Sequence, residues 1–230
     1  MAANPDPRTA PVRAALLILA DGRFPAGGHA HSGGVEAAVQ AGRVRDAAEL
    51  AEFCRGRLHT TGLTSAALAA AAAHGHDPRL LDAAADARTP SPALRAAARK
   101  LGRQLMRAAR SAWPGPELDA LAAAFPRGAH QPVVLGTAAR AAGLGPLDAA
   151  FCTVYETVSG PATAAVRLLS LDPFRATAVL ARLAPEMDAV AERAASAAGG
   201  GVDDLPAASA PLLDITAEQH AARPVRLFAS

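Results

Sequence analysis

The sequence predicts an all-α protein, a single-domain helical bundle with a mobile N-terminus and a mobile C-terminal tail. Three observations carry that prediction. Hydrophobic residues make up 51% of the 230-residue chain while aromatics reach only 3%, so the apolar fraction is mostly Ala, with Leu and Val. Alanine is the best intrinsic helix former, and its small side chain lets helix backbones approach closely. Apolar residues recur at spacings of three and four, and no segment of length alternates with the period of two that a half-buried strand needs. A chain this long can bury a substantial core within one domain.

The elements follow in order. Residues 1–12 hold three prolines and no apolar periodicity, which predicts a disordered N-terminus. Residues 13–198 read as the helical domain, and 199–230 as a linker and C-terminal tail. A short apolar helix from about Val12 to Ala20 runs into a glycine-rich loop, Asp21 to Gly34. Ser32 is placed to cap the next helix, which carries Val35, Ala38 and Val39 on one face and stops at Gly42. Asp46 opens a long helix reaching about Ala73, with Leu50, Phe53, Cys54 and Leu58 at helical spacing and a bend at Gly62. A short helix spans roughly Pro78 to Ala87. Ser91-Pro92 starts another, since Pro suits the first helical turn. There Leu94, Ala98, Leu101, Leu105 and Ala109 form one face, while Arg95, Arg99, Arg103, Arg107 and Arg110 form the other, as a solvated or a partner-binding stripe.

Helices are then expected at 117–124, from His130-Gln131-Pro132 to about Ala142, and from Leu147 to Leu169 with an interruption or kink near Gly160-Pro161. Asp172-Pro173 starts the last long helix, with Val179, Leu183, Met187, Val190 and Ala194 in register. Ala197 to Ala210 reads as a flexible Gly/Asp/Pro/Ala linker. Leu212, Leu213, Ile215, Leu227 and Phe228 give the tail more apolar side chains than a solvated segment needs, so it docks on its own domain, on a partner, or on both.

Composition removes several function classes. A formal net charge of +2 is too mild to argue for nucleic acid. Lys100 is the only lysine and no glycine-rich loop precedes it, which excludes a nucleotide-hydrolysing P-loop. Cys54 and Cys152 lie far apart in apolar helical patterns, as buried free thiols of a reducing compartment would. The apolar run Ala14 to Ala20 is too short for a secretory signal, and no segment offers the ~20 apolar residues of a membrane span. The chain therefore reads as cytoplasmic.

No catalytic or metal constellation emerges. The pairs His29/His31 and His74/His76 could each offer two imidazoles, but no Cys, Asp or Glu completes either set at ligand spacing. The loop around Ser32 holds Ser and His together, yet no strand precedes it, as a nucleophile elbow requires. The residues by themselves leave three classes open. One is a protein-binding adaptor. The second is a small helical hydrolase or metal-dependent enzyme using His29, His31 and Ser32. The third is a generic helical scaffold.

Leu16 to Gln40 (LLILADGRFPAGGHAHSGGVEAAVQ) resembles the N-terminal signature of the urease accessory protein family UreF. That signature has a leucine-rich helix, Ala-Asp, a Pro-x-Gly-Gly turn, His/Ser-Gly-Gly and a helical Glu. Three further segments follow in the family's order: His130 to Gly136, Ala164 to Leu168, and Pro211 to Ile215 with His220 and the closing Arg226-Leu227-Phe228. The resemblance covers nearly the whole chain. It implies an all-helical, non-catalytic homodimer without a cofactor, bridging UreD (also called UreH) and the GTPase UreG for nickel delivery to apo-urease.

The same resemblance assigns Gly27, Gly28, His31, Ser32, Gly33, Gly34 and Glu36 of the loop to the UreD-facing surface. It assigns His220, Arg223, Arg226, Leu227 and Phe228 of the tail there too. The chain departs from the family where Pro-Leu-Gly-Gln becomes Ser170-Leu171-Asp172-Pro173, where Arg-His-Glu becomes Gln219-His220-Ala221, and where a Tyr becomes Pro224.

Overall fold

The computed structural model describes residues 13–229, so the expectation of disorder over residues 1–12 lies outside the described residues. Among these residues the regular structure is helical and no strand forms. The helices are α1 (Arg13–Ala20), α2 (Val35–Gln40), α3 (Ala47–Arg57), α4 (Leu63–His74), α5 (Pro78–Ala87), α6 (Pro92–Ala112), α7 (Pro116–Ala124), α8 (Gln131–Ala141), α9 (Pro146–Leu168), α10 (Pro173–Ser196) and α11 (Pro211–Ala221).

Local chemistry explains most starts. Every helix from α5 to α11 carries a proline in its first turn, where the missing N–H would have had no helical partner. Asp46, Asp77, Ser91 and Asp172 accept first-turn amides of α3, α5, α6 and α10. The departure at Asp172-Pro173 thus has a local role, a capping carboxylate followed by a first-turn proline. Between α3 and α4 the chain widens into one π-helical turn, Leu58–Gly62, which is the form the expected bend takes. The predicted interruption at Gly160-Pro161 is absent: α9 stays helical through Pro161 to Leu168.

The core centres on α4, which packs against α8, α9 and α10. Ala66, Ala67, Ala69, Ala70 and Ala71 are all fully buried, so this helix meets protein around its whole circumference. Small residues set the spacing. A Cβ on Gly136 of α8 would fall 2.0 Å from the Ala69 carbonyl oxygen, so the α4 and α8 backbones touch only because Gly136 has none.

The arginine face of α6 ties the bundle together. Arg99 bridges Asp82 and Asp86 of α5 at 2.9 and 2.8 Å and donates to the Gly128 carbonyl. Arg110 pairs with Asp119 of α7, while Arg95 and Arg103 donate to nearby carbonyls. His130 completes the cluster at the start of α8, donating its amide to Asp82 and Nε2 to Asp86.

The stretch expected to be a flexible linker is fastened instead. Arg88 donates to the carbonyls of Val202, Asp203, Leu205 and Pro206 at 3.1–3.3 Å. Thr64 Oγ1 donates to the Ala208 carbonyl at 2.8 Å, His76 Nε2 to that of Ala198 at 2.8 Å, and Leu205 is buried. The composition suggested freedom because none of these bonds is local in sequence. Among the described residues no helix is long and apolar enough to cross a membrane.

Candidate functional site

The glycine-rich loop and the tail, far apart in sequence, meet at a single carboxylate. Gly27, Gly33 and Gly34 hold φ at +84°, +61° and +88°, the left-handed region that L side chains resist. Gly28 needs no such freedom, and a Cβ there would meet nothing within 4 Å. Gly34 is the N-cap of α2 and makes no side-chain cap bond, so the expectation that Ser32 caps this helix is corrected. Ser32 is fully buried, and its Oγ accepts the Glu36 amide one turn in, at 3.4 Å. The two glycines also give neighbours room. A Cβ on Gly34 would lie 3.3 Å from Leu213 Cδ2 of α11, and one on Gly33 would lie 3.2 Å from Pro161 of α9.

Glu36 lies in the first turn of α2 with only 1% of its surface exposed. Its carboxylate accepts the Leu227 amide at 2.8 Å, the Phe228 amide at 3.0 Å and His220 Nε2 at 2.9 Å. An ionised carboxylate only accepts, so His220 carries its proton on Nε2. Burial alone would raise the Glu36 pKa. The Leu227 amide, the His220 ring and the Phe228 amide outweigh it and hold the carboxyl below its ordinary value. The Ala229 amide adds a bond to the Ala30 carbonyl at 2.7 Å, and Phe228 is buried with the Arg167 guanidinium 5.4 Å from its ring centroid.

The same tail faces two ways. On α11, Thr216 and His220 are buried and Leu213 half-buried, whereas Leu212 and Ile215 are 55% and 56% exposed. Glu218 accepts the Ala93 amide at 2.8 Å and the Ser91 hydroxyl, seating α11 on the start of α6. Beyond α11, Arg223, Arg226 and Leu227 present exposed side chains, while Leu227 is pinned through its backbone. Of the two docking modes open to the tail, docking on its own domain is realised, with an apolar and basic face left outward.

Sequence reasoning missed Arg57, which donates to the Gly33 carbonyl and braces the loop. Its guanidinium is poorly solvated, and burial pushes its pKa below the ordinary arginine value. The signal was present: Arg57 lies three residues after Cys54 and four after Phe53, on the apolar face of α3.

The loop's histidines differ. His29 is exposed, while burial, then the Lys100 charge, then His29 push the pKa of His31 down to about 4. The buried Ser32 hydroxyl is not presented as a nucleophile would be. Among the described residues no three His, Cys, Asp or Glu side chains gather at metal-holding distance. Cys54 and Cys152 are free and buried, their thiols pushed up to about 11 and about 12 by burial.

The family description UreF matches residues 44–184 of this chain, which span α3 to the middle of α10. Curated relatives extend the similarity. The urease accessory protein UreF of Mycolicibacterium vanbaalenii is 47% identical over 221 residues, covering 94% of this chain and 98% of the relative. That of Mycobacterium marinum is 44% identical over 218 residues, with the same coverage. That of Mycobacterium tuberculosis is 43% identical over 220 residues, again covering 94% and 98%.

Proposed function

The chain belongs to the UreF family of urease accessory proteins, and from that premise we propose that it is a non-enzymatic adaptor of urease maturation. In this reading it works in the cytoplasm as a homodimer. It bridges UreD (UreH) and the GTPase UreG so that nickel reaches apo-urease, holding no cofactor of its own. The observation that carries the reading is the two-faced tail. Its inner face is locked to Glu36, and its outer face offers Leu212, Ile215, Leu227, Arg223 and Arg226 to a partner. Exposed aliphatic side chains beside arginines on an ordered backbone suit protein recognition, because little conformational entropy remains to be lost on binding. Of the loop residues Gly27, Gly28, His31, Ser32, Gly33, Gly34 and Glu36, Gly34 and Glu36 meet the tail directly, and Ser32 and Gly33 shape the turn that places them.

Replacing Leu212 and Ile215 together by Asp tests the surface without touching the tail's inner face. The double variant should keep its helicity and melting temperature while binding UreD at least ~30-fold more weakly, a loss of ~2 kcal/mol. Undiminished UreD binding by this folded variant would remove the tail from the interface. Dimerisation is checked separately: sedimentation of the isolated protein as a 23.2 kDa monomer at micromolar concentration contradicts the homodimer.

A further inference from the structure

A cavity of about 500 Å³ lies where the loop, α4, α6 and the docked tail converge. Its volume falls in the range of small-molecule sites, and most of its lining is the apolar surface of leucines and alanines. Its charge is one-sided. Arg57, Arg88, Lys100 and Arg226 line it, while Asp214 is the one carboxylate among the described residues of the wall. Arg88 is occupied by backbone carbonyls, and Arg57 makes one bond, to the Gly33 carbonyl. Neither Lys100 nor Arg226 has a hydrogen-bond or ion-pair partner among the described residues. Among the described residues Arg57 likewise meets no carboxylate, and its Nε is buried without an acceptor.

A desolvated guanidinium without a counter-charge is costly, and burial holds the Arg57 pKa below its ordinary value. At the lining His31, burial first and the Lys100 charge second push the imidazole pKa down to about 4. An anion seated among these groups would supply the missing counter-charge, and the apolar walls would strengthen its attraction to the poorly solvated Arg57. We propose that this cavity binds a small organic oxyanion, a phosphate ester or a polycarboxylate, through Arg57, Lys100 and Arg226. Because Arg226 and the inner face of α11 form one wall, the ligand also fastens the tail to the body.

Calorimetry and thermal melting of the full chain test this, with inorganic phosphate, pyrophosphate and citrate as probes, at ionic strength matched with sodium chloride. At least one probe should bind saturably, raise the melting temperature, and slow amide exchange at Leu227 and Phe228. A preference for pyrophosphate assigns a phosphate ester, and a preference for citrate assigns a polycarboxylate. Since Arg57 braces the loop, Arg57→Gln can lose binding merely by misfolding. The decisive variant is Lys100→Gln with Arg226→Gln, both exposed, which should fold normally and weaken binding ~10-fold or more. If no probe binds saturably at matched ionic strength, or the double variant binds as tightly as the parent, the proposal is overturned. UreD takes no part in this experiment, so the outcome is independent of the adaptor role.

Discussion

The α4–α8 contact and the Glu36 junction hold the same protein together by opposite means. Between α4 and α8 the backbones touch, with Gly136 against Ala69 and a row of fully buried alanines around them. Nothing there is charged, and the contact depends on shape alone. At Glu36 one buried carboxylate collects three donors from a tail nearly 200 residues away in sequence. Close packing has no graded response, because a well-packed interior cannot absorb even one extra methyl group without moving backbone. A carboxylate among donors is conditional: it holds while ionised and its partners are in place. The packed contact has no charge to lose, whereas the attachment of the tail depends on one ionised carboxylate.

The largest expected effect is at the packed contact. Gly136→Ala adds a single methyl that would have to lie 2.0 Å from a carbonyl oxygen and 2.7 Å from Ala72 Cβ, so two central helices must separate. We expect a loss of ~3 kcal/mol or more and a large fall in the melting temperature, measured by circular dichroism. A variant that melts like the parent would mean that α4 and α8 are free to slide, and the contrast with the junction would collapse.

Glu36→Ala should do less globally and more locally. Losing the buried acceptor of three tail bonds would cost ~3–5 kcal/mol if those donors stayed buried, but the tail can lift off and return them to water. The global loss is thus capped at the free energy of tail docking. Hydrogen exchange should show the Leu227 and Phe228 amides losing protection ~10-fold or more while the amides of α4 stay protected. Equal loss of protection in α4 would show that the junction is part of the global fold.

Acidification is the mildest probe and sharpens the same distinction. The folded pKa of Glu36 lies below its ordinary value of 4.5, so the stabilisation from its ionised form is fully present above that value. It is lost as pH falls through the lower folded value. Amide protection at Leu227 and Phe228, corrected for intrinsic exchange, should hold from pH 7 to pH 5 and fall only below about 4.5, before the helical signal decays. Release of the tail already at pH 6 would point to a group other than Glu36 as the controlling charge.

What the sequence determined by itself is whatever is decided within one turn or one helix. Ser91-Pro92 and Asp172-Pro173 place helix starts because a capping oxygen and a proline act on amides two or three residues away. Gly33 and Gly34 mark left-handed backbone because only the missing Cβ makes it cheap. The alanine run of α4 announces a helix, and the order of motifs announces the family. Ser32 was misjudged by little: its hydroxyl serves the first turn, but from one turn back rather than as the cap.

The tertiary structure alone decided what the polar side chains are for. Nothing near Val202–Leu205 reveals that Arg88 would gather that segment's carbonyls, so the linker looked free. Nothing near Glu36 reveals that residues 220, 227 and 228 would converge on it. Hydrogen bonds act over about 3 Å and leave no periodic trace in sequence. Their partners are fixed only once packing of the apolar faces has brought distant backbone together.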